Sequence, residues 1–438
     1  MYYYSTNKTV AFVNLQEAVI KGLAGDRGLF MPEKIKPLPQ SFFDNITELS
    51  FQEMAYIIAD AFFGEDVDAP TLQQIVYDTL SFDTPLVKVT DSIYSLELFH
   101  GPTLAFKDVG ARFMARLLAY FIKKENSVKN EKGAVNVLVA TSGDTGSAVA
   151  NGFLGVEGIR VFVLYPKGKV SPIQECQFTT LGKNITAIEV DGVFDDCQAL
   201  VKAAFIDEEL NAKMNLTSAN SINVARFLPQ AFYYFYAYAQ MRKIDKNRDV
   251  VICVPSGNFG NITAGLFGKK MGLPIARFIA ANNSNDIFYQ YLQTGKYNPC
   301  PSVQTLANAM DVGDPSNFVR VLDLYDYSFD AIKNDISAAR YNDSQIAETM
   351  RTCYEETGYI LEPHGACGYQ ALKDGLKANE AGIFLETAHP AKFLETVENI
   401  LDRKIEIPLP LQEFMKGAKQ SIELDKSFAS FKAFLMNA

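Results

Sequence analysis

Val135-Asn136-Val137-Leu138-Val139-Ala140-Thr141-Ser142-Gly143-Asp144-Thr145-Gly146 decides the fold. A short apolar run rich in β-branched residues enters a glycine turn, and a helical pattern follows over 147–154. Such a run, bounded by a turn, suits a strand buried on both faces. The rhythm continues with a strand over 159–165, a helix over 172–181, a strand over 185–190 and a helix over 195–205. It resumes at 250–254, followed by Pro255-Ser256-Gly257-Asn258-Phe259-Gly260-Asn261, a helix over 262–270 and a strand over 277–281. A last strand over 382–386 ends in Thr387-Ala388-His389-Pro390. Alternation of this kind predicts parallel sheets with helices on their faces. Two separate runs of it predict an α/β chain with two open parallel-sheet domains and a cleft between them. Ligands of such sheets sit beyond the carboxyl ends of the strands, where the informative turns lie.

The first 80 or so residues read differently. Apolar residues fall at helical spacing over 14–22 and 50–63, while Pro32, Pro37 and Pro39 break the segment between. This predicts a mostly helical N-terminal extension. Asp26-Arg27-Gly28-Leu29-Phe30-Met31-Pro32 taken alone is a turn with an apolar exit.

The 438 residues are enough for two or three domains, and 48% hydrophobic against 21% charged is the balance of a globular enzyme. A formal net charge of -10 with no basic face argues against nucleic acid but not against small anions, which a few local cations decide. The six cysteines form no C-x-x-C pair and read as reduced core thiols of a cytoplasmic protein. Three separated histidines give no metal-ligand spacing, so no metal is expected. No apolar run is long enough to span a membrane, and Met1-Tyr2-Tyr3-Tyr4-Ser5-Thr6 lacks the regions of a signal peptide.

Ser142-Gly143-Asp144-Thr145-Gly146 and Ser256-Gly257-Asn258-Phe259-Gly260 share the pattern S-G-[D/N]-x-G, each after an apolar strand and before a helix. Glycine lets the backbone approach a ligand, and the exposed N–H groups with the helix dipole favour an anion. A steric need for glycine in a tight turn explains either loop alone equally well. Neither matches G-x-x-x-x-G-K-[ST] or G-x-G-x-x-G, so nucleotide-triphosphate and NAD readings lose support, and a small phosphate ester remains.

His100-Gly101-Pro102-Thr103-Leu104-Ala105-Phe106-Lys107-Asp108 places a lysine at the start of an apolar helix, after a Pro/Gly turn and beside an aromatic residue. The positive end of the helix dipole and partial burial would both disfavour its ammonium form, and a neutral amine is what a carbonyl cofactor requires for a Schiff base. A solvated lysine in a first helical turn is the plain alternative. The third polar cluster, Thr217-Ser218-Ala219-Asn220-Ser221-Ile222-Asn223-Val224-Ala225-Arg226, gathers hydroxyls, amides and a guanidinium that could grip a phosphate. A capped helix start with Arg226 exposed accounts for it as well.

Together, G-P-T-x-A-F-K-D (101–108), A-T-S-G-D-T-G (140–146), S-A-N-S-I-N-x-x-R-x-x-P-Q (218–230), P-S-G-N-F-G-N (255–261) and E-T-A-H-P-A-K-F (386–393) resemble the threonine synthase family. These are fold type II, tryptophan-synthase β-like enzymes that use pyridoxal 5'-phosphate (PLP). D-x-G-L-F-x-P (26–32) resembles that family's N-terminal extension. The resemblance implies a PLP cleft and an expected layout of 1–82 as the extension, 83–110 with 226–438 as the larger PLP-binding domain, and 111–225 as a smaller mobile one. It implies Lys107 as the Schiff-base lysine and proton shuttle, flanked by Phe106. Gly257, Asn258, Phe259, Gly260 and Asn261 would cradle the cofactor phosphate. Thr387 would face the pyridine nitrogen, a neutral hydroxyl that does not enforce ring protonation as a carboxylate would. Ser142, Gly143, Asp144 and Thr145 would hold the substrate carboxylate and flank the ring hydroxyl. A carboxylate at Asp144 beside an anion must be protonated, turned away or paired. Ser221, Asn223 and Arg226, with Arg112 from the helix after Lys107, would take the substrate phosphate.

The implied reaction turns O-phospho-L-homoserine and water into L-threonine and phosphate, in a cytoplasmic monomer or homodimer with no nucleic-acid or membrane partner. A related PLP lyase such as a threonine dehydratase needs no second phosphate grip. A non-catalytic PLP-fold binding protein would not need Lys107. A plain α/β protein with structural glycine turns leaves the co-occurrence of the motifs unexplained.

Overall fold

The computed structural model describes residues 1–129 and 134–438, which fall into two compact units. One comprises Met1, 31–106 and 227–406; the other comprises 2–30, 107–226 and 407–438. The first 82 residues are therefore shared between the units.

The first unit is built on a six-stranded sheet in the order Ile336–Arg340, Arg277–Asn282, Asp249–Pro255, Glu380–Glu386, Ile93–Glu97, Leu86–Lys88. All neighbours are parallel except the edge hairpin, where Leu86 pairs with Leu96. Cys253 stands opposite Phe384, and Phe384 opposite Ser95, so three parallel strands share one register. Both faces are covered, which explains why these strands read as unbroken apolar runs. Val251, Cys253, Ile279 and Phe384 pack with Tyr369 and Leu372 of the helix Pro363–Gly375 on one side. On the other, Tyr234 of the helix Ala231–Ile244 meets Phe278 at 6.0 Å between ring centroids. Large side chains buried this way contribute about 1.5–3 kcal/mol each. The helix Phe51–Phe63 starts at a capping box in which Ser50 and Glu53 satisfy each other's backbone N–H groups.

The second unit carries a five-stranded, all-parallel sheet in the order Ile422–Asp425, Ile185–Asp191, Ile159–Pro166, Val135–Ala140, Asn215–Ser218. Every residue of Val135–Ala140 is buried, as the run of β-branched residues requires. Leu138, Phe162 and Ile188 pack with Leu200 and Ala204 of Phe194–Ile206 and with Phe431 and Leu435 of Phe428–Asn437. The long helix Lys107–Lys129 lies close to Asp144–Gly152, because a Cβ at Gly152 would stand 3.0 Å from the carbonyl carbon of Ala111.

The N-terminal segment is less purely helical than its spacing predicts. Tyr2–Ser5 and Val13–Asn14 form a small antiparallel pair before the helix Leu15–Lys21. The Asp26 turn is the knot that ties this region. Its carboxylate accepts from Ser5 Oγ at 2.6 Å, Gly28 N–H at 3.0 Å and the Thr9 backbone and hydroxyl. Burial pushes that carboxyl up, but the hydrogen bonds from Ser5, Gly28 and Thr9 prevail and hold its pKa at about 2. Cysteines 197, 253, 353 and 367 are buried free thiols, but Cys300 is exposed, which corrects the expectation that all six lie in the core. Among the described residues no helix is long and apolar enough to cross a membrane.

Candidate active site

Each sheet has one point where the strand order reverses, and in such sheets ligands bind beyond the strand ends at that point. In the first unit it lies between Asp249–Pro255, which leads on to Arg277–Asn282, and Glu380–Glu386, reached from the other direction. The Ser256–Asn261 turn leaves one of these strands and the Thr387–Pro390 turn leaves the other.

In the Ser256–Asn261 turn the backbone is bent unusually hard. Phe259 takes a left-handed φ of 63° immediately before the helix Gly260–Lys270, so successive N–H groups turn toward one place. A Cβ at Gly257 would stand 2.7 Å from the Cα of Met310, so only glycine fits under that neighbouring backbone. Asn258 is tied down by Ser316, whose N–H donates to its Oδ1 at 2.6 Å, and by Asn317 on its carbonyl. Asn261 is oriented by two tyrosines: Tyr233 and Tyr234 donate to its Oδ1 at 2.6 and 2.7 Å. That fixes its Nδ2 as the outward donor, and this buried atom has no hydrogen-bond partner among the described residues. A buried donor left over after every other group is matched is costly unless a ligand takes it. The turn thus fits a phosphate ester, as the cofactor reading requires.

The Thr387 turn clasps the segment that ends at Lys107. Ala105 and Ala388 form an antiparallel bridge, Phe106 N–H donates to Thr387 O at 2.9 Å, and His389 N–H donates to Leu104 O at 3.1 Å. Lys392 is fully buried and donates to Thr103 O at 2.7 Å. Leu104 pays for this path with a left-handed φ of 56°. Phe106 and Lys107 are both half-buried, and Lys107 is the first residue of its helix, as the Pro/Gly turn predicts.

His389 caps the turn through Nδ1, which accepts from Ala391 N–H at 3.1 Å. Burial, then repulsion by His100, brings its pKa down from 6.5 to about 4. Between these two values the unfolded chain binds the proton and the folded one does not, so acidification from 6.5 toward 4 removes stability. Denaturant midpoints measured at pH 7 and pH 4.5 are expected to fall more in the parent protein than in His389→Asn.

In the second unit the reversal lies between Val135–Ala140 and Asn215–Ser218. Their two exit loops touch: Asn220 Nδ2 donates to Ala140 O at 3.2 Å. This brings the Ser142–Thr145 turn beside the Asn220–Arg226 cluster. Thr141 Oγ1 accepts from Gly143 N–H at 2.9 Å and Gly146 N–H at 2.8 Å, so the turn is self-supporting. Gly143 adopts φ 145°, and a Cβ there would collide with the Gln174 amide at 2.6 Å. Asp144 is buried at the start of the helix Asp144–Gly152, and its Oδ1 accepts from Gln174 Nε2 at 2.8 Å. Ser171 Oγ donates to Gln174 Oε1, which fixes the amide in that sense. The Gln174 amide thus holds the Asp144 carboxyl in place at the helix start. Gln174 was not legible as a site neighbour, since its role depends on a partner thirty residues away.

The cluster residues divide. Asn223 is fully buried and committed inside the unit: Nδ2 donates to Val19 O and Ser218 O, and Oδ1 accepts from Ala225 N–H. Its amide braces the N-terminal helix against the loop. Ser221 remains half-buried. Arg226 is only 2% exposed, unlike the solvated arginine of a plain helix start. A Cβ at Gly110 would stand 2.2 Å from Arg226 O and 2.4 Å from its Nη1, so this guanidinium lies on the first turn of the helix that Lys107 opens. Arg112, one turn along, is half-buried, and its carbonyl accepts from Arg116 at 3.0 Å.

Three family models match the chain: "Pyridoxal-phosphate dependent enzyme" over residues 79–385, "Threonine synthase N terminus" over 2–80 and "Threonine synthase, C-terminal" over 365–435. A threonine synthase of Haemophilus influenzae is 47% identical over 97% of both chains, and one of Escherichia coli is 44% identical over 97% of both. Among solved structures, threonine synthase from Escherichia coli superposes with a TM-score of 0.93 at 42% identity over the whole of both chains. PLP-bound threonine synthase from Brucella melitensis gives 0.92 at 32% identity, covering 100% of this chain and 99% of that one. A maize serine racemase, at 17% identity and a TM-score of 0.52 over 80% of the chain, shares the fold alone.

Proposed function

Because the chain belongs to the threonine synthase family of PLP-dependent enzymes, we propose a role for each switch-point residue in turning O-phospho-L-homoserine and water into L-threonine and phosphate. The protein is a PLP-dependent carbon–oxygen lyase of threonine biosynthesis. A PLP lyase of another type is not favoured. The observation that carries the assignment of roles is the bond from Phe106 N–H to Thr387 O, which fixes the residue before Lys107 on the turn that bears the ring-nitrogen hydroxyl.

When bound, PLP supplies the electron sink that lets protons leave carbons near the substrate amino group. In the first unit, Gly257, Asn258, Phe259, Gly260 and Asn261 would hold its phosphate, Thr387 would face its ring nitrogen, and Phe106 would border the ring. Lys107, which opens the long helix of the second unit, would be its point of attachment, and its ε-amine would move protons at the substrate Cα and Cβ. In the second unit, backbone and hydroxyl donors of Ser142, Gly143 and Thr145 receive the substrate carboxylate. Asp144, held by Gln174, would flank the cofactor's ring hydroxyl. Arg226 and Ser221 grip the substrate phosphate, with Arg112 as an outer cation and Asn223 as the brace that shapes the loop. Phosphate leaves Cγ, and water adds at Cβ. Two anionic grips suit a substrate with two anionic ends, which a dehydratase substrate lacks.

We propose a cytoplasmic enzyme with a small-molecule substrate, acting as a monomer or homodimer without membrane partners, and the net charge of -10 argues against a nucleic-acid partner. The deciding experiment is phosphate release from O-phospho-L-homoserine by cofactor-loaded protein, with L-threonine identified as co-product. Rapid deamination of L-threonine with no phosphate release would refute the assignment. Asn261→Asp tests the phosphate turn separately. Tyr233 and Tyr234 can still donate to a carboxylate, but the outward donor becomes an acceptor facing an anion. Losing a charge-assisted hydrogen bond costs about 1.5–3 kcal/mol, so cofactor affinity is expected to drop about 10- to 150-fold, read by titrating cofactor into the apoprotein.

A further inference from the structure

Behind Thr387 lies a buried polar chain that the reaction as described does not use. Thr387 Oγ1 donates to Glu362 Oε1 at 3.0 Å. Glu362 is fully buried at the start of the helix Pro363–Gly375. Its Oε1 also accepts from Gly365 N–H at 2.9 Å, and its Oε2 accepts from His364 N–H at 2.8 Å and from the His364 ring at Nδ1. Ala309 N–H donates to His364 Nε2 at 3.0 Å, so the ring hydrogen sits on Nδ1 and points at Glu362. Four donors converge on the two oxygens of Glu362, so its side chain is the acceptor toward each of them.

Glu386 lies across from Glu362, its Oε1 accepting Glu362 N–H at 2.7 Å. Burial, then repulsion by Glu362, pushes the Glu386 carboxyl well above its ordinary range. Burial likewise pushes the Cys367 thiol up and leaves it neutral. Glu97 and Asp311 stand further out, acting on Glu386 and near His364 respectively.

A hydroxyl has one hydrogen. If Thr387 gives it to a carboxylate, only lone pairs remain for whatever lies on its other side. We propose that Glu362, with His364 behind it, is a positioning residue that turns the Thr387 hydroxyl into an acceptor toward the cofactor and so holds the ring nitrogen in its protonated form. This rests on the assignment of Thr387 to that nitrogen. A carboxylate at one remove then does what the neutral hydroxyl alone does not: it stabilises a pyridinium and deepens the electron sink.

The test is ring-nitrogen NMR of the holoenzyme loaded with PLP carrying 15N in the pyridine ring. The parent protein is expected to give a pyridinium resonance. In Glu362→Gln the amide can donate to Thr387, which releases the hydroxyl hydrogen toward the ring, and the resonance is expected to move to the neutral pyridine position. A neutral resonance in the parent overturns the proposal whatever the variants do, so it stays decidable if Glu362→Gln does not fold. A resonance that shifts in Thr387→Val but not in a folded, cofactor-loaded Glu362→Gln also overturns it, while leaving Thr387 at the ring. A resonance unmoved in Thr387→Val removes the underlying assignment instead. Thr387→Ser, which keeps the hydroxyl, is expected to restore the pyridinium signal.

Discussion

Lys107→Ala is expected to lose both the visible absorbance of the loaded protein and its turnover. The substitution removes the covalent tether and the group that moves protons at two carbons, and general acid–base catalysis alone is worth about 10²–10⁴-fold. A fall in kcat/KM of at least about 10³-fold should therefore accompany it. The fold should survive, because alanine is the best helix former and the strap before it is made of backbone bonds on 104–106. Those bonds also separate a chemical from a structural failure. A variant with an unchanged far-ultraviolet spectrum and thermal midpoint, but no turnover, is the expected outcome. Retained absorbance in Lys107→Ala would assign the cofactor linkage to another side chain, and borohydride trapping with peptide mapping would identify it.

Gly110→Ala should be strongly damaging although it alters no polar group. The added methyl would stand 2.2 Å from a backbone carbonyl and 2.4 Å from a guanidinium nitrogen of the same buried arginine. Backbone cannot swing aside as a flexible side-chain end can, so the helix and the Arg226 turn must separate. Overpacking of this kind costs about 1–3 kcal/mol, which differential scanning calorimetry would register as a lower midpoint. The displaced guanidinium should also raise KM for O-phospho-L-homoserine by about 10-fold or more, from the loss of a charge-assisted contact. The Ser256–Asn261 turn belongs to the first unit and should be spared. Gly25→Ala is the natural control, since its backbone is not left-handed and its added methyl would meet only a side-chain carbon of Val10 at 4.0 Å.

The legible parts of this molecule are those whose cause lies within a few residues. The strand at Val135–Ala140 and the helix at Lys107 are fixed by local apolar runs and turns, and the sequence places them within a residue or two. The edge strands Ile336–Arg340 and Asn215–Ser218 carry Ser, Ala, Asn and Arg, and become strands only because a formed neighbour pairs with them. The same division runs through the site. Lys107, the two glycine turns and Arg226 carry their chemistry in local spacing. Glu362, His364 and Gln174 do not, because each acts on a residue at least two dozen positions away or braces one that does. Asn223 adds what motif reading does not show: its amide donates to Val19 O and Ser218 O.

The interleaving of the two units sets the order in which the protein can be made. The unit holding Arg226 draws on 2–30, 107–226 and 407–438, and its edge strand Ile422–Asp425 comes from the last of these. While a ribosome is still translating, Ile185–Asp191 has no outer neighbour and presents an open edge to other nascent chains. That edge stays open until Ile422–Asp425 has left the exit tunnel, so a chain stopped before residue 422 should yield insoluble product rather than a weakened enzyme.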